Sequence, residues 1–178
     1  MKEIVKKAFL LVLLILSLGV SVPAFAKPIV ISEQKVIYDL PYPGILPDNP
    51  LYTFKIIRDR VMEIMTRDYL KKAELYLLFS DKRAAMAMAL ADNGKDKLAV
   101  STLSKGEKYF EKIPDILKTS KKQGVSPSSD LINRLKLSNS KHREIAQDLL
   151  KKLPQGQDDA INQILNLNDK IRASLEKL

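Results

Sequence analysis

The stretch from Asp68 to Gly94, DYLKKAELYLLFSDKRAAMAMALADNG, decides the fold class. Its apolar residues recur at helical spacing, over a face wide enough to take neighbours on two sides. Asp68 is a residue type that caps helix N-termini, and Asn93-Gly94 is a typical left-handed helix stop. The stretch therefore predicts a long, centrally placed helix in an all-α protein.

A shorter helix is predicted before this stretch. Asn49-Pro50 is typical of a helix start, because the Asn side chain accepts hydrogen bonds from unpaired amides and proline suits the first helical position. The helix should run from about Pro50 to Met65. We expect its apolar side to pack on the rest of the bundle; that side consists of Leu51, Phe54, Ile57, Val61, Ile64 and Met65.

Another helical pattern follows the central helix. It begins near Asp96, repeats apolar residues at helical spacing and ends at Gln123-Gly124. Pro114 lies inside this pattern. Because proline has no amide to donate and clashes with the preceding turn, we expect a kink or a break there.

Two more helices complete the chain. The first follows Ser126-Pro127 and ends before Pro154 and Gly156; its stripe contains Leu131, Leu135, Ser138, His142, Ile145, Leu149 and Leu153. The second begins with Asp158 and Asp159, whose negative charge suits the positive end of a helix dipole. The predicted fold is an all-α bundle of about five amphipathic helices, preceded by an extended proline-rich N-terminal arm.

The chain divides into three regions on this interpretation. Residues 1–26 form a leader, residues 27–49 the extended arm and residues 50–178 the helical bundle. Pro43-Gly44 predicts a tight turn within the arm, because proline presets the first φ angle and glycine tolerates the positive one that follows. We expect the arm to lie on the bundle.

The leader has the parts of a secretory signal peptide. A lysine-rich start precedes an apolar run from Ala8 to Val22, and small residues at Ala24 and Ala26 mark the expected cleavage site. An uncleaved membrane anchor is the alternative, because the uncharged stretch that ends at Ala26 is 19 residues long, near the length that spans a bilayer. The absence of cysteine excludes a lipoprotein. We expect an extracytoplasmic protein: secreted, periplasmic or at the cell surface.

The composition excludes several kinds of site. The chain has no cysteine and one histidine, so thiolate metal sites and sites with two imidazoles are excluded. His142 lies in an apolar stripe, and its nearest acids in sequence, Glu144 and Asp148, lie on other faces. We interpret His142 as a packing residue rather than a metal ligand or general base. No catalytic, cofactor-binding or metal-binding residue is assigned.

The chain has 30 Lys and Arg against 21 Asp and Glu. The excess of positive charge is concentrated in residues 94–154. Candidate contacts for anionic membrane or wall polymers are Lys105, Lys108, Lys112, Lys118, Lys121 and Lys122. An ordinary solvated face is the alternative, because acids are interleaved with these lysines. Nucleic acid is not expected as a partner, since no basic stripe with interleaved aromatic residues is present.

Several short motifs occur in a fixed order between residues 38 and 122. They are LPYPGILPDNPLY at 40–52, IRDR at 57–60, KKAE at 71–74, DKRA at 81–84 and SKGEKY at 104–109. This part of the chain resembles a bacterial exported domain family of unknown function, while the helices in residues 127–178 are less specific. The resemblance implies a secreted helical domain and supplies no catalytic residues.

Three functional hypotheses follow, and none of them requires a cofactor. The leading one is a non-enzymatic, extracytoplasmic interaction or structural module whose partner is an unknown envelope protein. The second is peripheral binding of anionic membrane or wall polymers through residues 94–154, with membrane contact at most peripheral unless the leader is retained. The third is a hydrolase that uses two carboxylates.

Overall fold

The computed structural model describes residues 35–153 and 156–178. These ranges contain six helices, α1 Tyr52–Met65, α2 Tyr69–Asp92, α3 Asp96–Phe110, α4 Ile113–Lys122, α5 Ser129–Lys152 and α6 Asp158–Leu175. The predicted leader with its cleavage site at Ala24 and Ala26, the first part of the predicted arm (27–34) and Pro154 lie outside the described residues. For the described part, the all-α prediction is confirmed. None of its helices is long and apolar enough to cross a bilayer.

Helix α2 contributes to both apolar clusters of the bundle, in agreement with its predicted central place. In one cluster, Phe79 of α2 packs with Phe110 of α3 and Leu135 of α5. In the other, Ala87 of α2 packs with Leu103 of α3 and with residues of α5 and α6. Buried apolar area of this kind is the main favourable contribution to folding, so α2 is the helix on which the others assemble.

The helix boundaries follow their local sequence signals. The Asp68 side chain accepts a hydrogen bond from the Lys71 amide at 2.8 Å and caps α2, while Gly94 beyond its end has φ +69°. The predicted break near Pro114 is confirmed, because the helix ends at Phe110 and a new helix, α4, begins at Ile113. Pro114 lies in the first turn of α4, where its missing amide would have no helical partner in any case.

The described part of the arm, residues 35–49, contains no helix or strand, turns at residues 46–49, and lies on the bundle. The Val36 amide donates to Glu144 of α5 at 2.6 Å, and Leu40 packs against the second apolar cluster. Gly44 has φ +71°, in agreement with the turn predicted at Pro43-Gly44. The arm therefore places Pro43 and Gly44 beside α1.

Helix α1 is turned the opposite way from the sequence prediction. Its apolar residues point to solvent, with Phe54, Ile64 and Met65 70%, 66% and 74% exposed. The expectation that its apolar side packs on the bundle is therefore wrong. The buried residues of α1 are Lys55 and two acids, so α1 is attached to the bundle by its polar face.

Helices α2 and α3 approach each other closely at Gly106. The Ser80 hydroxyl donates to the Gly106 carbonyl oxygen at 2.9 Å. A Cβ atom at Gly106 would lie 3.1 Å from the Cβ of Arg83, closer than side chains normally pack. Glycine at this position therefore permits the contact that fixes α3 against α2.

We predict that Gly106→Val lowers the free energy of unfolding by about 1–3 kcal/mol, because the added methyl groups overfill the contact with Arg83 and Ser80. Urea denaturation followed by circular dichroism measures the change. Lys105→Val is the control, because it places the same residue type at an exposed position of the same helix. Equal stability of the two variants would contradict a close α2–α3 contact at Gly106.

Candidate functional site

The side of α1 that faces the bundle is built from three charged residues four positions apart. Lys55, Asp59 and Glu63 are each buried, and residues at this spacing lie above one another on one face of a helix. Burying a charge is unfavourable unless it is paired or hydrogen-bonded. The geometry of α1 therefore depends on the partners that these three side chains find.

Glu63 finds its partners at the C-terminal end of α1. Its carboxylate accepts from the Tyr76 hydroxyl at 2.7 Å and from Arg60 at 2.8 Å, and Lys112 lies 3.7 Å away. Burial acts to raise the pKa of Glu63, but the Tyr76 and Arg60 hydrogen bonds and the charge of Lys112 outweigh it and lower the pKa. Glu63 is therefore ionised and holds α1 to α2.

Asp59 and Lys55 attach the rest of the helix. Asp59 accepts from Arg58 at 2.6 Å and lies 4.0 Å from Arg83, which is buried on α2. The Lys55 ammonium donates to the Pro43 carbonyl oxygen of the arm at 2.8 Å. The polar face of α1 thus contacts both α2 and the arm.

Aromatic rings support the cations beneath α1. The Arg83 guanidinium lies 4.4 Å from the centre of the Tyr109 ring. The Lys112 ammonium lies 5.2 Å from the Tyr76 ring and 5.1 Å from the Tyr109 ring. Cation–π attraction holds both cations where they meet the acids of α1, so the bundle surface under α1 is itself polar and positively charged.

The opposite side of α1 is an apolar surface, which we call the outer stripe. It is formed by Phe54, Ile57, Val61, Ile64 and Met65, all of them exposed. At the helical period these residues cover an arc of about 100°. Arg58 borders the arc on one side and Arg60 on the other, and both are exposed. The two acids of α1 are on the buried side, so the exposed charges of this helix are basic.

A buried polar network occupies the centre of the bundle. Nδ1 of His142 lies 2.7 Å from Oε1 of Glu107, and Nε2 lies 3.1 Å from Oδ1 of Asp81. None of the three residues is more than 4% exposed. Asp81 also accepts from the Tyr38 hydroxyl at 2.6 Å and from the Ser138 hydroxyl at 2.5 Å. The network therefore connects the arm with α2, α3 and α5.

The carboxylates keep His142 charged. Burial acts to lower the pKa of His142, but the hydrogen bonds and charges of Asp81 and Glu107 outweigh it and raise the pKa to about 9. At neutral pH the imidazolium donates one hydrogen bond to each carboxylate. A general base must reach the proton that it removes from a substrate, whereas both nitrogens of this buried ring are occupied. The contacts of His142 are those of a structural ion bridge.

The sequence spacing around His142 did not show these partners, because they lie on α2 and α3 rather than on its own helix. His142 is buried, as a packing residue would be, but its ring nitrogens are bonded to two carboxylates that the sequence did not indicate. The carboxylates lie at opposite nitrogens of the ring and cannot converge on one ion. Among the described residues, no group of three or more His, Cys, Asp or Glu side chains is placed to hold a metal ion.

The six candidate lysines are exposed and differ in their contacts. Lys112 belongs to the site under α1, Lys118 pairs with Asp115 at 3.0 Å, and Lys121 donates to the Leu178 carbonyl oxygen. The others have no ion pair within residues 35–153 and 156–178: Lys105, Lys108 and Lys122. The structure thus separates Lys112 from the rest of the predicted group.

Comparison with known protein families matches residues 44–171 to the family described as Domain of unknown function (DUF5667). The chain belongs to this family. The DUF5667 match begins at Gly44, inside the proline-rich motif, and extends through α5 into α6. It therefore reaches the last two helices, which lie outside the motifs of residues 38–122. Searches of the curated proteins and of the solved structures found no match.

We predict that the double variant Asp59→Asn/Glu63→Gln loosens α1 and leaves the other helices in place. The variant removes the charged acceptor of the Tyr76 hydroxyl, a kind of hydrogen bond that contributes about 1.5–3 kcal/mol, and the negative charges opposite Arg83 and Lys112. Hydrogen exchange should accelerate at least about tenfold in α1 and remain unchanged in α2–α6. The exposed pair Glu111→Gln/Asp115→Asn removes the same charge as a control. Unchanged exchange in α1 would show that apolar contacts hold it instead.

We predict that stability declines as His142 loses its proton. Its pKa is raised from 6.5 to about 9 on folding, so this stabilisation is complete below pH 6.5 and is lost as the pH rises through 9. The expected loss is on the order of 3 kcal/mol. Urea denaturation between about pH 6 and pH 10 measures it, and His142→Gln should have a flatter profile. A neutral imidazole at pH 7, detected by ¹⁵N NMR, would contradict the ion bridge.

Proposed function

We propose that this DUF5667 domain is a non-enzymatic interaction module that attaches to an anionic lipid surface through the outer stripe of α1. The observation that carries the proposal is the orientation of α1. A helix that lies flat on its domain and presents Phe54, Ile57, Val61 and Ile64 to solvent has the geometry of an interfacial membrane helix. Contiguous exposed apolar surface of this kind marks an interaction site.

The charges around the stripe favour an anionic surface. Arg58 and Arg60 border the stripe and are exposed, and Lys82 lines a groove beside α1, whereas the two acids of α1, Asp59 and Glu63, are buried on its opposite side. A lipid surface takes the apolar residues into its interfacial region while arginine side chains reach the phosphates. Each basic residue near an anionic membrane contributes about 1 kcal/mol.

A second copy of the chain fits the same stripe less well. Phe54, Ile57, Val61 and Ile64 alternate in steps of three and four residues, as in the seam of a coiled coil. In that arrangement the flanking Arg58 and Arg60 of one copy would meet the arginines of the other, in either relative direction. Like charges at flanking positions disfavour pairing, so we assign the stripe to lipid.

The proposal places this domain outside the cytoplasmic membrane. The signal-like sequence of residues 1–26 supports that location, and so does the resemblance of the motifs to an exported family. In this setting the outer stripe would hold the domain against the outer leaflet, whether the leader is removed or kept as an anchor. The protein would belong to the cell envelope.

The structural role of the acids supports a non-enzymatic assignment. Asp81 and Glu107 are tied to His142, and Asp59 and Glu63 are tied to the cations around α1. Acid–base catalysis by carboxylates requires a pair that faces a substrate. These four carboxylates are buried and engaged, which agrees with a role in positioning helices.

We predict that the purified 27–178 chain sediments with phosphatidylglycerol vesicles more strongly than with phosphatidylcholine vesicles, and that salt weakens this binding. Ile57→Asp should reduce the partition coefficient at least about tenfold, because it puts a carboxylate among the residues that enter the interface. Equal sedimentation of Ile57→Asp and wild type would contradict docking through the stripe.

Two controls separate this surface from its alternatives. Leu137→Asp changes an exposed apolar residue on α5 and should leave binding unchanged. Lys105→Gln/Lys108→Gln tests the basic segment that the sequence suggested; loss of binding in this double variant but not in Ile57→Asp would favour that segment. A stable dimer that Ile57→Asp dissociates would assign the stripe to self-association instead.

A further inference from the structure

A groove opens beside the N-terminal half of α1, where the arm turns. It has a volume of about 340 Å³ and is lined by Pro43, Gly44, Ile45, Phe54, Lys55, Arg58 and Lys82. This volume is within the range of small-ligand sites. Phe54 and Arg58 also belong to the outer stripe and its border, so the groove adjoins the side that the proposed function turns toward lipid.

The lining of the groove combines three cations with no carboxylate. Lys82 makes no hydrogen bond or ion pair within the part of the chain that the structure describes. Lys55 donates to the carbonyl oxygens of Pro43 and Ile45, at 2.8 Å and 3.5 Å, and forms no ion pair there. Asp59, the nearby acid, is engaged by Arg58 and Arg83. Two of the three cations, Lys55 and Lys82, therefore have no ion pair among the described residues, and the groove carries an excess of positive charge.

Lys55 is also buried, and its pKa is lowered mainly for that reason. Burial lowers the pKa of Lys55 to about 8; the charge of Asp59 acts to raise it, and those of Lys82, Arg83 and Arg58 act to lower it further. An anion in the groove would compensate these positive charges. It should therefore raise the pKa of Lys55, which gives the site a signature that can be measured.

We propose that this groove binds a phosphate group through Lys55, Arg58 and Lys82, and that the phosphate is that of an anionic lipid headgroup. The inference rests on the proposed function, because it is the outer stripe that brings the groove to a membrane. Arginine presents paired donors that match phosphate oxygens, and lysine adds a point charge. Phe54 would contact the glycerol and the first methylene groups of the same lipid.

The arrangement also accounts for the turn at Gly44. Its φ of +71° favours glycine, and the ideal Cβ position lies 3.8 Å from the Lys55 ammonium. A side chain at this position would therefore contact the Lys55 ammonium. Glycine leaves this side of the Lys55 ammonium uncovered, and the Pro43 carbonyl oxygen accepts a hydrogen bond from it.

The first experiment tests the groove without a membrane. sn-Glycerol 3-phosphate is titrated into the 27–178 chain, and lysine side-chain signals are followed by NMR. We expect saturable shifts at Lys55 and Lys82, a raised pKa of Lys55, and affinity at least about tenfold weaker in Lys82→Gln, because a charged hydrogen bond is lost. Lys97→Gln, an exposed lysine on α3, should bind like wild type. Absence of saturable shifts, or equal affinity in Lys82→Gln, would overturn the proposal.

The second experiment distinguishes a lipid phosphate from a soluble phosphate as the ligand. It also distinguishes binding by the groove from binding by the outer stripe. Ile57→Asp should lose vesicle binding and keep its affinity for glycerol phosphate, while Lys82→Gln should bind phosphatidylglycerol vesicles more weakly than Lys97→Gln does. Unchanged vesicle binding in Lys82→Gln, together with glycerol phosphate binding in the wild type, would overturn the lipid assignment and leave a site for soluble phosphate. Failure of the wild type to bind vesicles would overturn the proposed function.

Discussion

The attachment of α1 by its charged face is the constraint on which the functional surface depends. Lys55, Asp59 and Glu63 lie at successive turns and are buried against the arm, Arg83 and Tyr76. Because a helix has one side toward the bundle and one toward solvent, committing the polar side to the bundle exposes the apolar side. The outer stripe is therefore a consequence of three polar contacts, and the groove beside it is formed by the same Lys55 that anchors the helix.

The His142 network fixes the positions of the helices and of the arm that α1 contacts. It joins α2, α3 and α5 with charged hydrogen bonds, and Tyr38 extends it to the arm. If the arm left its place, the buried Asp81 would lose the hydrogen bond from Tyr38 and keep those from Ser138 and His142. A hydrogen bond to a charged group contributes about 1.5–3 kcal/mol, and this one holds the arm on the bundle. Because the arm is fixed here, Pro43 is held where it can accept from Lys55.

The sequence predicted the fold much better than it predicted the site. Helix ends depend on neighbouring residues, so Asp68, Gly94 and Pro114 marked them correctly. The orientation of α1 depends on residues distant in sequence, and the rule that apolar stripes face inward therefore gave the wrong side. A signal was present in the second stripe, Lys55, Asp59 and Glu63, but its partners could not be read from the sequence. The carboxylates around His142 were missed for the same reason, since they come from other helices.

The bundle surface under α1 shows why the helix cannot simply turn over. A rotation by half a turn would set Phe54, Ile57 and Val61 against Arg83, Lys112 and the Tyr76 hydroxyl, and would carry Asp59 and Glu63 into solvent. Arg83 and Lys112 would then be covered without counter-charges, at a cost of several kcal/mol each. Packing the apolar stripe against these polar groups would stabilise the chain by less than this cost. The polar face of α1 and the polar surface of α2 and α3 thus specify the same arrangement. The exposed stripe is a surface that the packed chain maintains for contact with something outside it.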